Sequence, residues 1–353
     1  MKKLIKFYFT VLLLGLSLGS IAQNSFTEIV KTNLADATKL GQAYLNPLFK
    51  GVGVGLNSGW YNSAKAKNLG KFDVRFVATA AFVPQSDKSF DINSLGLTNT
   101  RPTNLNQFIA PTVVGKDVDG PSVTFYDNND KEIGDFILPS GSGLSFIPSP
   151  QLQVTVGVLK NTDVSVRFTP KIGNYEFGKM QVLGIGAKHE ITPLLFPGVV
   201  GKLAPIDIAV SLAYNQIKFE KDFDGADQQD DSGSGRDLNQ RIDGKFSGVT
   251  ADLIVSKKLS VFTPFASISY NTSKTDLGIL GDYVVSNPEF PLVLNSEPFK
   301  TITDPVKYNQ NDISGLRGNI GFELKLAFFR LYGAYSVAEY QAVTGGIGFG
   351  IGK

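Results

Sequence analysis

The sequence predicts an all-β protein, a transmembrane antiparallel β-barrel of about 12 strands (range 10–14) with an N-terminal amphipathic helix. Three observations carry this prediction: alternating hydrophobicity in the last forty residues, a leader at the N-terminus, and connections that alternate between very short and very long. In the C-terminal stretch, Leu316, Ile320, Phe322, Leu324 and Leu326 alternate with Arg317, Asn319, Glu323 and Lys325. After a short turn, Leu331, Gly333, Tyr335 and Val337 alternate with Arg330, Tyr332, Ala334 and Ser336, and a last strand sets Val343, Ile347, Phe349 and Ile351 against small residues. Side chains on a strand point to opposite faces with period two, so each segment is apolar on one side and polar or small on the other. Strands of about 10 residues joined by tight turns suit a barrel with lipid outside and water inside. A soluble sandwich gives the same alternation, so the other two observations decide.

Lys2, Lys3 and Lys6 precede an apolar run over residues 7–18, and Ser20-Ile21-Ala22 supplies small residues at a cleavage site. This reads as a secretory signal over residues 1–22, because the run is shorter than the ~20 residues that span a bilayer as a helix. The chain has no cysteine, which removes disulfides, thiolate metal sites, cysteine nucleophiles and lipoprotein acylation together. Apart from the leader there is no apolar stretch of ~18 residues. Composition fits an aromatic-girdled barrel, with 37 glycines, 26 phenylalanines and 12 tyrosines against two methionines and one histidine. The net charge of +2 gives no case for nucleic acid.

The first element is a helix over residues 24–44, with Phe26, Ile29, Val30, Leu34, Ala37, Leu40 and Tyr44 on one stripe and Pro47 just after its end. It belongs to a segment, residues 23–50, that either packs outside the barrel or plugs its lumen; the barrel domain is placed at 51–353. Residues 51–60, GVGVGLNSGW, read as a strand or a glycine-rich entry segment. Residues 72–82 form a strong strand. From 84 to 150 the sequence is polar and rich in proline and glycine, with one hairpin at 123–138. A connection this long is typical of an extracellular barrel loop.

Strands return at 152–158 and 164–168 around a turn at Lys160-Asn161, then at 177–189 with poorer alternation. Residues 191–205 hold three prolines and cannot be a strand interior. Further strands follow at 206–214, 249–255 and 262–270, with hydrophilic connections at 221–243 and 271–312. Eleven candidates result, whereas a barrel with both ends on one side needs an even number. Either 51–60 does not span, leaving ten, or a strand hides in a long connection; twelve is the expected count. The short turns near Lys160, Lys257 and Phe328 are placed in the periplasm and the long loops outside.

Chemistry is sparse. His189, the sole histidine, has no nucleophile-elbow serine to serve, and no enzyme is expected. The acidic run at Asp222, Asp224, Asp227, Asp230 and Asp231 lacks the spacing of a calcium loop, and no metal or cofactor is expected. The polar strand faces hold Asp73, Arg75, Asp163, Arg167, Arg317, Glu323, Lys325 and Arg330. These eight are the lumen-facing candidates, paired as ladders if the barrel is narrow and setting solute selectivity if it is wide.

Four segments carry a resemblance: YLNPLFKG at 44–51, LNSGWYNSAK at 56–65, PSPQ at 148–151 and VRFTP at 166–170. Together they resemble a family of uncharacterised outer-membrane proteins of Bacteroidota-type Gram-negative bacteria, over most of the mature chain. A helix ahead of a barrel is also similar to the architecture of FadL-type long-chain fatty-acid transporters, whose N-terminal segment plugs the lumen, although no motif transfers residue by residue. Lys353 stands where many such barrels end in an aromatic. The resemblance implies the cell outer membrane, with outer-membrane lipid and the barrel-assembly machinery as partners. The function expected first is a passive channel or transporter for a small solute, hydrophobic solutes included. The alternative is a non-transporting structural or surface-interaction barrel.

Overall fold

The computed structural model describes residues 34–127, 129–174, 178–197, 206–223, 228–287 and 296–351. The leader and the first ten residues of the expected helix lie outside these ranges. Ten antiparallel strands close into a barrel: β1 (Phe72–Phe82), β2 (Phe146–Leu159), β3 (Thr162–Asn174), β4 (Gly178–Glu190), β5 (Asp207–Asp222), β6 (Arg241–Ser256), β7 (Phe262–Leu280), β8 (Val306–Leu326), β9 (Phe329–Val337) and β10 (Ala342–Ile351). Each strand pairs with its sequence neighbours, and β1 closes the ring on β10, from Phe72 opposite Ile351 to Ala81 opposite Ala342. Closure leaves no unpaired edge, which is what a sheet needs in lipid.

Within a central belt the outward phase is apolar on every strand. Leu316 is 71 % exposed, Ile268 and Ile320 63 %, Leu212 and Ile185 59 %. So large a continuous apolar surface is untenable in water and fits a lipid belt. Aromatic contacts lie near its two rims, with Phe82 beside Phe146 at one end and Phe329 beside Phe349 at the other. β5 to β8 run for 16, 16, 19 and 21 residues. At ~3.3 Å per residue, the longest far exceed the ~25 Å apolar band even when tilted. Their upper halves therefore project past the belt on the long-loop side.

The strand count is ten, not twelve, because residues 51–60 do not span. The helix α1 runs Leu34–Asn57, through Pro47 and the whole GVGVG run, rather than ending at Tyr44. The barrel accordingly begins at Phe72, not at residue 51. Alternating glycine and valine resembles a strand in sequence, but here the glycines serve close approach. A Cβ on Gly51 would collide with Ile147, on Gly53 with Ser273, and on Gly55 with Ser149, all wall residues. Helix α1 touches β1, β2, β5, β6, β7 and β8, and residues 53–57 are buried without regard to face. A helix buried on all sides needs no amphipathic stripe.

The first half of α1 is gripped by the 83–145 connection. The Asp36 carboxylate accepts the backbone N–H groups of Thr98 (3.0 Å) and Asn99 (2.8 Å). Ala37 and Leu40 pack with Ile92, Ala110, Val123, Phe125 and Leu138 of that connection. The connection itself contains a three-stranded sheet of Thr100–Pro102, Ser122–Tyr126 and Glu132–Ile137, whose last two strands form the anticipated hairpin. It forms a cap at the long-loop end of the barrel. At the opposite end the 191–206 connection starts with one helical turn, α2 (Thr192–Leu195); residues 198–205 lie outside the described ranges.

Candidate functional site: the barrel lumen

An α-helix ends with carbonyl groups that lack intrahelical partners and carry the negative end of its dipole. Helix α1 ends halfway down the lumen, and the inward phase of the wall supplies donors for those carbonyls. Arg167 donates to Leu56 O (2.9 Å) and Ser58 O (2.8 Å). Arg317 donates to Asn57 O (2.8 Å) and to Ser58 Oγ (3.1 Å). Asn215 donates to Leu56 O (2.7 Å), Gln151 to Gly55 O (2.7 Å) and Gln153 to Trp60 O (3.1 Å). Arg75 also donates to Trp60 O. The Arg167 guanidinium stacks 3.8 Å from the centre of the Trp60 ring, a cation–π contact. Trp60 lies against Gly184 and Gly186 of β4, where a Cβ would come within 3.2 Å and 3.0 Å of its ring.

Below this collar, residues 58–71 descend to β1 through ion pairs with the wall. Lys67 Nζ meets Asp73 at 2.8 Å, and Lys65 Nζ meets Glu190 at 2.7 Å and Asp207 at 3.5 Å. Lys188 pairs with Asp163 at 3.1 Å and donates to the carbonyls of Ser63 (2.9 Å) and Lys65 (2.8 Å). Asp163 also accepts the Lys67 N–H at 2.7 Å. Arg330 lies 3.6 Å from Glu323 and 4.0 Å from Asp73, and Lys325 lies 4.0 Å from Glu323.

All eight lumen candidates sit on the inward phase of their strands, at two heights. Arg75, Arg167 and Arg317 surround the end of α1; Asp73, Asp163, Glu323, Lys325 and Arg330 form the lower ion-pair level. Sequence reasoning missed their partners. Gln151 and Gln153 were visible in the alternation with Leu152 and Val154. Lys188 was hidden because its inward neighbours on β4, Gly184 and Gly186, are too small to mark a face. His189 points to the other phase, with Nδ1 3.0 Å from Thr162 Oγ1. Among the described residues no cluster of three or more potential metal ligands forms. In the acidic loop, Asp230 accepts from Ser232 (3.1 Å from its N–H) and Ser234 (2.6 Å from Oγ), which pull its carboxyl down to about 2. Asp224 and Asp227 lie outside the described residues.

A small interior cavity of about 30 Å³ lies between Trp60, Asp252, Arg317 and Asn319. That is room for about one water. At the loop end, Lys50 of α1 pairs with Glu339 (2.6 Å) and Asp87 (3.5 Å), and Tyr340 donates to Asp87 at 2.7 Å. Helix, cap and the β9–β10 turn thus meet at one charged knot. Burial acts to raise the Asp87 carboxyl, but hydrogen bonds from Tyr340 and Ser86 and the Lys50 charge hold it below its ordinary value. A depressed carboxyl stabilises the fold above its unfolded value of about 4 and loses that contribution as pH falls through the folded value. Protection of the cap amides against hydrogen exchange, with the intrinsic rate divided out, should therefore fall below about pH 4, and Asp87→Asn should remove this step; an unchanged profile in the variant would show that Asp87 is not its source.

No curated protein matches the chain. Among solved structures it is similar to the outer-membrane protease OmpT of Escherichia coli, at 7 % identity and a TM-score of 0.33, covering 80 % of this chain and 97 % of that one. It is also similar to the translocator domain of the autotransporter NalP from Neisseria meningitidis, at 10 % identity and a TM-score of 0.27, with 92 % and 99 % covered. A Pseudomonas aeruginosa FadL homologue matches at 9 % identity and a TM-score of 0.21, with 80 % and 89 % covered. A family model matches residues 1–351, and the chain belongs to that family, the family of unknown function DUF6588.

Proposed function

We propose that the protein is an outer-membrane barrel sealed by its own N-terminal chain, with the capped long-loop end serving as a surface for contacts rather than as the entrance to a channel. One observation carries this reading. The three arginines best placed to select a solute, Arg75, Arg167 and Arg317, donate instead to backbone carbonyls of residues 56–60. The lower charges are consumed in pairs, and the cavity beside the collar admits about one water. A passive channel for hydrophobic solutes would need a continuous apolar path, and this polar collar opposes one.

Planar-bilayer recordings test the proposal. The intact protein should give no steady conductance, and liposomes containing it should take up sugar, aromatic and fatty-acid tracers no faster than empty vesicles. Stable single-channel steps from the intact protein, or tracer uptake above the empty-vesicle rate, would contradict it.

A further inference from the structure

The outer wall carries a concavity of about 830 Å³ where β3 to β8 rise past the apolar belt. Its lining is cationic: Lys171, Lys179, Lys218, Arg241, Lys245 and Lys307 outnumber the three carboxylates that share it. Most of these cations have acidic partners. Lys171 meets Glu220 at 2.6 Å, Lys179 meets Asp222 at 3.6 Å, Arg241 meets Asp243 at 3.2 Å, and Lys307 meets Asp304 at 3.1 Å.

Lys218 and Lys245 differ. They are direct cross-strand partners on β5 and β6, both on the outward phase, both exposed, and neither has an ion pair among the described residues. Asp276, opposite Lys245 on the next strand, is engaged by Lys274 at 3.3 Å and by the Asn309 amide. Like charges directly opposite on a sheet oppose pairing, so this doublet costs stability unless an anion bridges it.

Its height indicates which anion. On β5 the outward series runs Val210, Leu212, Tyr214, Gln216, Lys218, so the doublet begins four residues, about 13 Å of strand, above the last aromatic of the belt. That is the level of lipid headgroups, and Gln181, opposite Lys218 on β4, adds an amide donor at the same height. We propose that Lys218 and Lys245 form a clamp for the phosphate of a membrane lipid headgroup, with the lipid's chains lying along the apolar wall of β5 and β6 below.

The test compares the intact protein with the double variant Lys218→Gln/Lys245→Gln in phosphatidylcholine nanodiscs containing a small fraction of lipid A. Bound lipid A is counted by native mass spectrometry, and the thermal unfolding midpoint is read alongside. With about 1 kcal/mol per basic residue near a charged surface, the variant should hold lipid A about 30-fold more weakly. Lipid A should raise the unfolding midpoint of the intact protein only. In lipid-free detergent the variant should be at least as stable as the parent, since a repulsive pair is gone; this separates a lipid site from a structural one. Equal retention of lipid A by both proteins would overturn the proposal. So would complete displacement of the lipid by millimolar inorganic phosphate, which would mark a site for the free anion. Neither outcome depends on whether the lumen conducts.

Discussion

Replacing Arg167 and Arg317 together by methionine should convert a silent barrel into a leaking one. The two guanidinium groups make four hydrogen bonds to the end of α1 and the residue after it. Hydrogen bonds to charged groups are each worth roughly 1.5–3 kcal/mol, but burying two arginines without a carboxylate in contact costs part of that back. A net loss of about 3 kcal/mol in helix docking is the expected balance, and it raises the undocked population about 100-fold. The barrel itself should survive, because its closure rests on the strand ladder and not on the collar. Intermittent channel openings with unchanged β-sheet circular dichroism would be the signature. A variant as silent as the parent would show that the collar does not hold the lumen shut.

The largest stability effect is expected one level lower. Asp163 is 1 % exposed and lies 3.1 Å from Lys188, which is 4 % exposed. Breaking a buried pair by deleting one partner leaves an uncompensated charge and costs about 3–5 kcal/mol. Asp163→Ala should fall in that range in urea unfolding of the detergent-solubilised protein, and it also orphans the Lys67 N–H. The double variant Asp163→Ala/Lys188→Met should lose distinctly less than the sum of the two single changes. Additive losses would mean that the pair is not coupled.

The strands were legible in the sequence wherever one face meets lipid, because hydrocarbon on one side and polar side chains on the other force a period of two. That logic located β1, β2, β9 and β10 and placed the eight lumen candidates on one phase. It failed where both faces are polar. Beyond Tyr270, β7 continues through Ser273, Lys274, Thr275 and Asp276 to Leu280, and β8 begins at Val306. Above the belt there is water outside as well, so no alternation marks these extensions and they read as loop. The helix was misjudged for the opposite reason. A helix inside a barrel is surrounded by walls, so its second half carries no stripe, and Gly51, Gly53 and Gly55 reflect the wall's proximity rather than strand or turn formation. The collar could not be read at all, because apart from Arg75 on Trp60 O it joins side chains to backbone carbonyls more than ninety residues away.

The central claim is that α1 occupies the lumen, and a chain without cysteine allows a direct measurement. Single cysteines at positions 35, 54 and 56 would be challenged with a charged maleimide in the folded, detergent-solubilised protein. Ala35 is exposed at the capped end, whereas Val54 is 5 % and Leu56 1 % exposed. Burial by depth predicts rapid labelling at 35 and none at 54 or 56 until the protein is unfolded. Labelling of 54 and 56 as fast as 35 in the folded protein would place the helix outside the barrel and contradict the sealed lumen.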